Sequence, residues 1–422
     1  MLTEKLHAAL TDDAVETDRG EARRFVRHLV SLMSTKIADG LIDPKLVLAW
    51  LMSAGGAPGY LIGALVPVRE AGALLPQIML ARVIQRQSIR KYIWAAGAFL
   101  QGAAALGIAA AAVMLDGPAL GWTIVACLSV LSLARAACSA SYKDILARTV
   151  ETGARGTVSG AAGTVAASVV FAFAALLAFQ IIPLTIGAIS VAIAIAGALW
   201  IIASLVFAGL DEPADERGED TLGSLADIIK PLRTDHELRV YILARGLLTA
   251  TALAPPFLVI LAGTDGTGGL GNLGLLMLAS SLAAIASSYI WGRLSDTSSR
   301  ATMMFSGLLA GAALGAAATI GLITGRLEAV WLAPALLFVA QIGYEGVRAA
   351  RKTHLTDMNT GGQKALYTAL SNTLIGVLLL AGGIFGVIAN AFGPAVVLGI
   401  FAGMSVVGAL TASRLSNVQK DA

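Results

Sequence analysis

The chain has 422 residues, of which 57% are hydrophobic and 14% are charged, and its formal net charge is +3. A soluble globular domain carries about 45–50% apolar and about 25% charged residues. The composition therefore excludes a disordered chain, a disulfide-rich scaffold, a nucleic-acid binder and an ordinary soluble enzyme. It indicates an all-α polytopic membrane protein. Since a membrane helix takes about 20 residues, the length has room for about twelve spans joined by short loops.

The hydropathy pattern divides the chain into two sets of six apolar stretches. Residues 1–24 are polar and lack a signal-peptide pattern, so we expect them to form a cytoplasmic N-terminal segment. The predicted membrane spans are 25–52, 57–82, 92–115, 119–141, 156–180, 183–209, 238–262, 268–291, 302–324, 329–348, 365–389 and 394–413. Pro255 and Pro256 are expected to break or kink the seventh span, because proline cannot continue the helical hydrogen bonding.

A polar region at residues 210–237 separates the two sets of spans. It begins with an acidic run from Asp211 to Asp220 and continues with an amphipathic piece, Leu222 to Leu232. We expect this piece to lie on the membrane surface. The predicted domains are an N-terminal six-helix bundle at 25–209, this central loop, a C-terminal six-helix bundle at 238–413 and a cytoplasmic tail at 414–422.

The distribution of basic residues predicts the orientation in the membrane, because short cytoplasmic loops are enriched in Lys and Arg. Basic residues are concentrated in the loops on one side of the predicted membrane. The loops on the opposite side are nearly free of them, with Arg326 as the exception. Both termini and the central loop are therefore expected to be cytoplasmic. The basic loop residues on the predicted cytoplasmic side are Arg82, Arg86, Arg90, Lys91, Lys143, Arg148, Arg155, Arg293, Arg300, Arg351, Lys352 and Lys364.

The two sets of spans show a weak internal repeat at an offset of 209 residues. At this offset Lys143 aligns with Lys352 and Gly153 aligns with Gly362, in loops that leave the fourth helix of each set. Two six-helix halves in parallel repeat are typical of transporters that work by alternating access.

Several ionisable side chains fall inside the predicted spans, where each is costly and is expected to face a partner or a cavity. Their signs suggest a division of roles, because Arg and Lys suit anionic groups and a buried carboxylate can exchange a proton. The candidate substrate-binding residues are Arg135, Arg69, Lys36 and Arg245. The candidate proton-coupling residues are Glu70, Asp39 and Glu345.

Structural interpretations of these charges stay open. Lys36 with Asp39, and Arg69 with Glu70, could be ion pairs that only fix helix packing. Arg245 lies near the start of its span and could reach the membrane surface. Arg348 could be one more basic residue of a cytoplasmic loop.

The loop between the eighth and ninth spans carries the most specific motif, in the run from Gly292 to Arg300. With Gly292, Leu294, Asp296 and Arg300 in the expected spacing, this loop resembles that of the major facilitator superfamily, although Ser299 replaces a second glycine. The resemblance implies a twelve-helix fold and a gating latch formed by Gly292, Asp296 and Arg300, in which Gly292 supplies a tight turn. The fourth-span run Leu131–Arg135 is similar to the family's intramembrane arginine motif, whereas the Gly-Pro motif of its antiporters is missing from the fifth span.

The resemblance and the intramembrane charges together predict a secondary active transporter of a small anionic organic solute, coupled to protons. One alternative is an exporter of apolar or cationic compounds, and a membrane-embedded receptor or enzyme is disfavoured. We expect the partners to be the solute, protons and the lipid bilayer of a bacterial inner membrane. A monomer without cofactor, metal or nucleic acid is expected.

Overall fold

The computed structural model describes residues 19–76, 79–80, 83–84, 86–151, 154–214, 225–263, 272–327, 329–358 and 364–419. Within these ranges the regular secondary structure consists of helices, without any strand. The all-α fold class predicted from composition and hydropathy is therefore confirmed.

The helices of the first half of the chain follow the six predicted spans. Two helices fill the first span, and one helix fills each of the other five. In chain order they are α1 (Arg19–Leu41), α2 (Val47–Ala54), α3 (Gly59–Leu74), α4 (Lys91–Met114), α5 (Gly117–Thr149), α6 (Arg155–Ala178) and α7 (Ile186–Ala208).

The second half begins with α8 (Leu225–Thr234), which covers the later part of the predicted amphipathic segment. Residues 222–224 of that segment lie outside the described residues. The helices that follow are α9 (His236–Leu248), α10 (Ala250–Leu253), α11 (Pro255–Ala262), α12 (Asn272–Thr324), α13 (Leu332–Asp357), α14 (Lys364–Ala381), α15 (Ile384–Phe392) and α16 (Pro394–Ala412). The seventh predicted span corresponds to α9–α11, and α12 contains the eighth and ninth.

Eight helical segments of the described chain are long and apolar enough to cross a membrane, so the protein is an integral membrane protein. They correspond to predicted spans three to seven, nine, eleven and twelve. The other four predicted spans are 25–52, 57–82, 268–291 and 329–348. Two of these, 25–52 and 57–82, contain ionisable residues near their middle, and 329–348 contains Glu345 and Arg348 at its end, which lowers their hydropathy. The count of twelve spans stays a prediction.

The first span is interrupted between α1 and α2, a break that the apolar pattern did not predict. Pro44 disfavours helical geometry at the residue before it. The Asp43 carboxylate then accepts hydrogen bonds from the backbone N–H groups of Lys45 at 2.7 Å and Leu46 at 3.0 Å. These bonds satisfy donors at the start of the second piece. As a result, polar residues lie at the middle of the span.

The prolines of the seventh span act as predicted, because α10 ends at Leu253 and α11 begins at Pro255. The expectation of a tight turn at Gly292 is wrong. The helix continues through Gly292, and the backbone leaves helical geometry at Ser298, with φ −162° and ψ 98°. The chain therefore bends between the eighth and ninth spans at Ser298.

The two halves contact each other most extensively through three pairs of helices: α6 with α12, α3 with α14, and α3 with α15; α2 with α11, α3 with α11 and α3 with α10 add smaller contacts. Some of these contacts are backbone to backbone. A Cβ atom on Gly63 of α3 would collide with the Cα of Gly386 on α15, and one on Gly274 of α12 would collide with the backbone of Ala178 on α6. All four residues lie toward the predicted extracytoplasmic ends of their spans.

We expect Gly63→Ala to weaken this contact between the halves. The added methyl group has no room against the Gly386 backbone, and overpacking of this kind costs about 1–3 kcal/mol. Gly160→Ala is the matched control, because no atom lies within 4 Å of a Cβ built on Gly160. Thermal unfolding of the purified proteins should show a lower midpoint for Gly63→Ala only. Equal midpoints for the two variants would contradict the packing described here.

The predicted orientation can be tested with single cysteines placed at Asp116 and Thr221, after replacement of the two native cysteines, Cys127 and Cys138. A membrane-impermeant thiol reagent added to intact cells should label the cysteine at position 116 and miss the one at position 221. Both should be labelled after the cells are opened. Labelling of position 221 in intact cells would reverse the assignment.

Candidate functional site

A cavity of about 390 Å³ lies between the two halves, and helices of both halves contribute to its wall. The residues that line it are Asp39, Asp43, Pro44, Lys45, Val66, Arg69, Glu70, Ala73, Arg135, Tyr344, Arg348 and Arg351. A smaller chamber of about 160 Å³ shares part of this wall and adds Gln341 and Glu345. The charged residues predicted from four separate spans therefore meet in one place.

The cavity wall carries an excess of positive charge. Five of its side chains are basic and three are acidic. The nearest flanking charges are Lys36 behind Asp39 and Glu345 in the smaller chamber, and they balance each other. The excess among the described residues is therefore two positive charges, whether or not Lys36 and Glu345 are counted.

Asp39 is the centre of the charges in the first half. Its carboxylate accepts a hydrogen bond from Nη2 of Arg69 on α3 at 2.9 Å, and both of its oxygens contact Nη1 of Arg135 on α5. One acidic side chain on α1 thus joins two arginines from two other helices. The sequence suggested the ion pairs Lys36 with Asp39 and Arg69 with Glu70. In the structure, Asp39 pairs with Arg69 and Arg135 instead.

Lys36 lies one helical turn before Asp39 and points to another helix. Its Nζ donates to the backbone carbonyl of Ser159 on α6 at 3.1 Å. Lys36 interacts electrostatically with Asp39 and Arg135, but it is not one of the residues that line the cavity.

Glu70 lines the cavity next to Arg69 but faces different partners. It interacts electrostatically first with Lys45 and with Arg351 of the opposite half, and then with Arg69 and Arg135. No hydrogen bond to its carboxylate occurs among the described residues. The Nζ of Lys45 lies 3.9 Å from the centroid of the Tyr344 ring on α13, within the range of a cation–π interaction. These contacts connect the two halves across the cavity.

Glu345 and Arg348 form the edge between the two chambers. Arg348 Nη1 lies 3.5 Å from Glu345 Oε2, and Gln341 Nε2 donates to Glu345 Oε1 at 3.1 Å. Arg348 lines both chambers, and its side chain is 60% exposed.

Arg245 lies outside the cavity wall. It is buried, and its guanidinium donates to Ser371 Oγ at 2.7 Å and to Asn372 Oδ1 at 2.9 Å. Both partners are on α14, so Arg245 joins α9 to α14 inside the second half. The alternative that it reaches the membrane surface does not agree with its burial.

The motif at the turn between the eighth and ninth spans contacts the C-terminal segment. Arg300 Nη1 donates to the Leu415 carbonyl at 3.2 Å, and the backbone N–H of Ser299 donates to Gln419 Oε1 at 3.0 Å. Asp296 is exposed, and no ion pair with it is found within the described ranges. The latch role of Gly292, Asp296 and Arg300 stays a prediction.

Of the twelve residues that line the cavity, only Asp39, Arg69, Glu70 and Arg135 were predicted as site residues; among those not predicted are Asp43, Lys45, Tyr344 and Arg351. Lys45 follows the helix break at Pro44, and this proline was the available signal. Arg351 was assigned to a basic cytoplasmic loop, but α13 continues to Asp357. Arg351 therefore lies almost one turn beyond Arg348 on the same helix face.

No family model matches the sequence, and no curated protein matches it. Solved structures do match. A mutant of the nucleoside transporter NupG superposes with a TM-score of 0.69 at 13% identity, over 92% of this chain and 98% of that chain. The inward-open xylose transporter XylE from E. coli has a TM-score of 0.60 at 13% identity, over 94% and 95% of the two chains. A D-xylose–proton symporter structure has a TM-score of 0.63 at 12% identity, over 94% and 98%.

These likenesses extend over nearly the whole chain, and they establish its fold. The chain has the fold of the major facilitator transporters, as the loop motif predicted.

Proposed function

We propose that this protein is a secondary active transporter that moves a small anionic organic solute by alternating access, coupled to protons. The fold supports transport of this type. The observation that carries the solute class is the excess of two positive charges on the wall of the cavity between the halves.

An anionic solute follows from the cost of uncompensated charge inside a membrane. Cations inside a membrane-spanning bundle face a partner or a cavity, and the acidic residues of the wall leave two of the five without a matching negative charge. The planar fork of an arginine side chain binds a carboxylate or phosphate through two parallel hydrogen bonds. Arg69 and Arg135 are the arginines of the first half that face the cavity. Arg245 is not part of this proposal, because it lies outside the wall.

Glu70 is the proton-coupling residue that we favour among the three candidates. Asp39 is held by two arginines, and Glu345 is held by Gln341 and Arg348. Glu70 faces the cavity without a hydrogen-bond partner in the described part of the chain, so water in the cavity can exchange a proton with it. Protonation removes a negative charge from the wall and strengthens the attraction for an anion.

Alternating access requires the two bundles, residues 25–209 and 238–413, to move against each other around the cavity. The backbone contacts Gly63–Gly386 and Gly274–Ala178 close the cavity toward the predicted extracytoplasmic side. If both termini are cytoplasmic, as proposed, a cavity closed on the extracytoplasmic side is that of an inward-facing transporter, which we propose to act as a monomer in the inner membrane.

A neutral solute is the main competing proposal, because the similar structures are those of a nucleoside transporter and a xylose transporter. Neither solute would balance the charge of this cavity. An exporter of cationic compounds would face repulsion from the same arginines.

Ligand-induced stabilisation of the purified protein tests the solute class, because a specific ligand raises the unfolding midpoint by mass action. Carboxylates, inorganic phosphate, uridine and xylose should be compared in one titration series at pH 7. We expect a saturable rise of the midpoint with an organic anion and none with uridine or xylose. Stabilisation by a neutral compound alone would overturn the proposal.

A further inference from the structure

The positive charge of the cavity is divided into two groups on opposite halves of the molecule. We propose that these groups bind the two ends of a dianionic solute, of which an extended dicarboxylate is the type. This inference rests on the proposed function and makes its solute class specific.

The first group consists of Arg69 on α3 and Arg135 on α5. Both contact the carboxylate of Asp39. The side chain of Arg135 is 39% exposed and that of Arg69 is 13% exposed. Arg135 is therefore the member that an incoming anion reaches first.

The second group consists of Arg348 and Arg351 on α13. Their spacing of three residues places them on one face of the helix. Arg348 is 3.5 Å from Glu345, which is long for a charge-assisted hydrogen bond. The guanidinium of Arg351 has no hydrogen bond or ion pair with any residue that the structure describes. The Arg351 carbonyl accepts a hydrogen bond from Tyr241 Oη at 2.8 Å, and this bond fixes the backbone from which the side chain extends.

The size of the charge excess favours two negative charges on the solute. A monoanion would leave one positive charge of the wall without a counterion, whereas a dianion balances both. A dianion thus balances the wall when Glu70 is ionised. Protonation of Glu70 removes a negative charge near Arg351, with which Glu70 interacts electrostatically, and this increases the attraction for the anion.

The position of the two groups selects among dianions. They lie on different halves of the protein and face the same cavity of about 390 Å³. We expect a compact dianion such as inorganic phosphate to favour one group. An extended dianion can contact both, and it would then hold the two halves together in a closed state. Closure and solute recognition would thus depend on the same side chains.

The test compares acids of equal length that carry one or two carboxylates. Succinate, glutarate and adipate are titrated against butyrate, valerate and caproate, with inorganic phosphate alongside, by thermal unfolding of the full-length protein in detergent. The variants are Arg351→Gln and, as a matched control, Lys352→Gln, which removes an exposed charge from the adjacent position outside the cavity wall. We expect at least one diacid to bind about 10- to 100-fold more tightly than its monoacid, which corresponds to one or two charge-assisted hydrogen bonds.

Arg351→Gln should remove most of this preference, while Lys352→Gln should keep it. Equal affinity for diacids and monoacids, or a preference that survives Arg351→Gln, would overturn the two-ended site and leave the anion transporter intact. Binding of phosphate as tight as that of every diacid would also overturn it. If no acid and no phosphate binds while uridine or xylose does, the proposed function itself fails.

Discussion

Arg135→Gln is expected to abolish detectable binding of the anionic solute while leaving a folded protein. The guanidinium of Arg135 is the more exposed of the two that meet at Asp39. A charge-assisted hydrogen bond contributes about 1.5–3 kcal/mol, so loss of a two-bond contact lowers affinity by about 100-fold or more. Folding should survive, because Arg69 still compensates Asp39. Arg135→Lys should bind weakly, because the charge is kept and the fork is lost.

Arg245→Gln is the matched control for this experiment. It also removes an intramembrane arginine, but one that bonds Ser371 and Asn372 away from the cavity. We expect a lower unfolding midpoint and unchanged affinity for the anion, measured by the same titration. Failure of Arg135→Gln to fold, with folding restored by Asp39→Asn, would contradict a binding role for Arg135. Arg135 and Asp39 would then be a structural ion pair.

Glu70→Gln is expected to separate exchange from accumulation. The amide keeps the size of the side chain but cannot carry the coupling proton. In proteoliposomes the variant should exchange internal for external solute at a rate similar to that of the wild type. It should show no uphill uptake when a proton gradient is imposed. The two variants therefore fail in different steps, Arg135→Gln in binding and Glu70→Gln in coupling.

Glu345→Gln provides the comparison within the same cavity system. Glu345 is held by Gln341 and Arg348, so its neutralisation should leave accumulation largely intact. Uphill uptake by Glu70→Gln at the wild-type level would show that Glu70 is not the proton carrier. Loss of uphill uptake in Glu345→Gln alone would assign that role to Glu345.

Hydropathy predicts the positions of most helices. The cost of charge in a membrane indicates which spans contribute residues to the site. Lys36, Asp39, Arg69, Glu70 and Arg135 could all be singled out in this way, because an ionisable residue inside an apolar stretch is conspicuous in the sequence. The pairing of these residues could not be predicted. Asp39 joins α1 to α3 and α5, and spacing within one helix contains no information on which helices are neighbours.

Two local features explain the rest of the difference. The break at Pro44 brings Lys45 to the cavity wall. Hydropathy averaged along the sequence does not show this break, because it treats 25–52 as one continuous span. The helix α13 extends beyond the apolar stretch that predicts the tenth span, so Arg351 resembles a loop residue in sequence and a cavity residue in structure. Arg245 shows the opposite case, since hydropathy cannot distinguish a buried packing residue from one that faces a cavity.

Proton-driven uptake into proteoliposomes is the most direct test of the central claim. The wild-type protein is reconstituted, a pH gradient is imposed, and uptake of the tightest-binding acid is measured beside uptake of uridine and xylose. We expect accumulation of the acid that stops when an uncoupler collapses the gradient, and no uptake of the two neutral compounds. Accumulation of uridine or xylose without uptake of any acid would contradict the central claim.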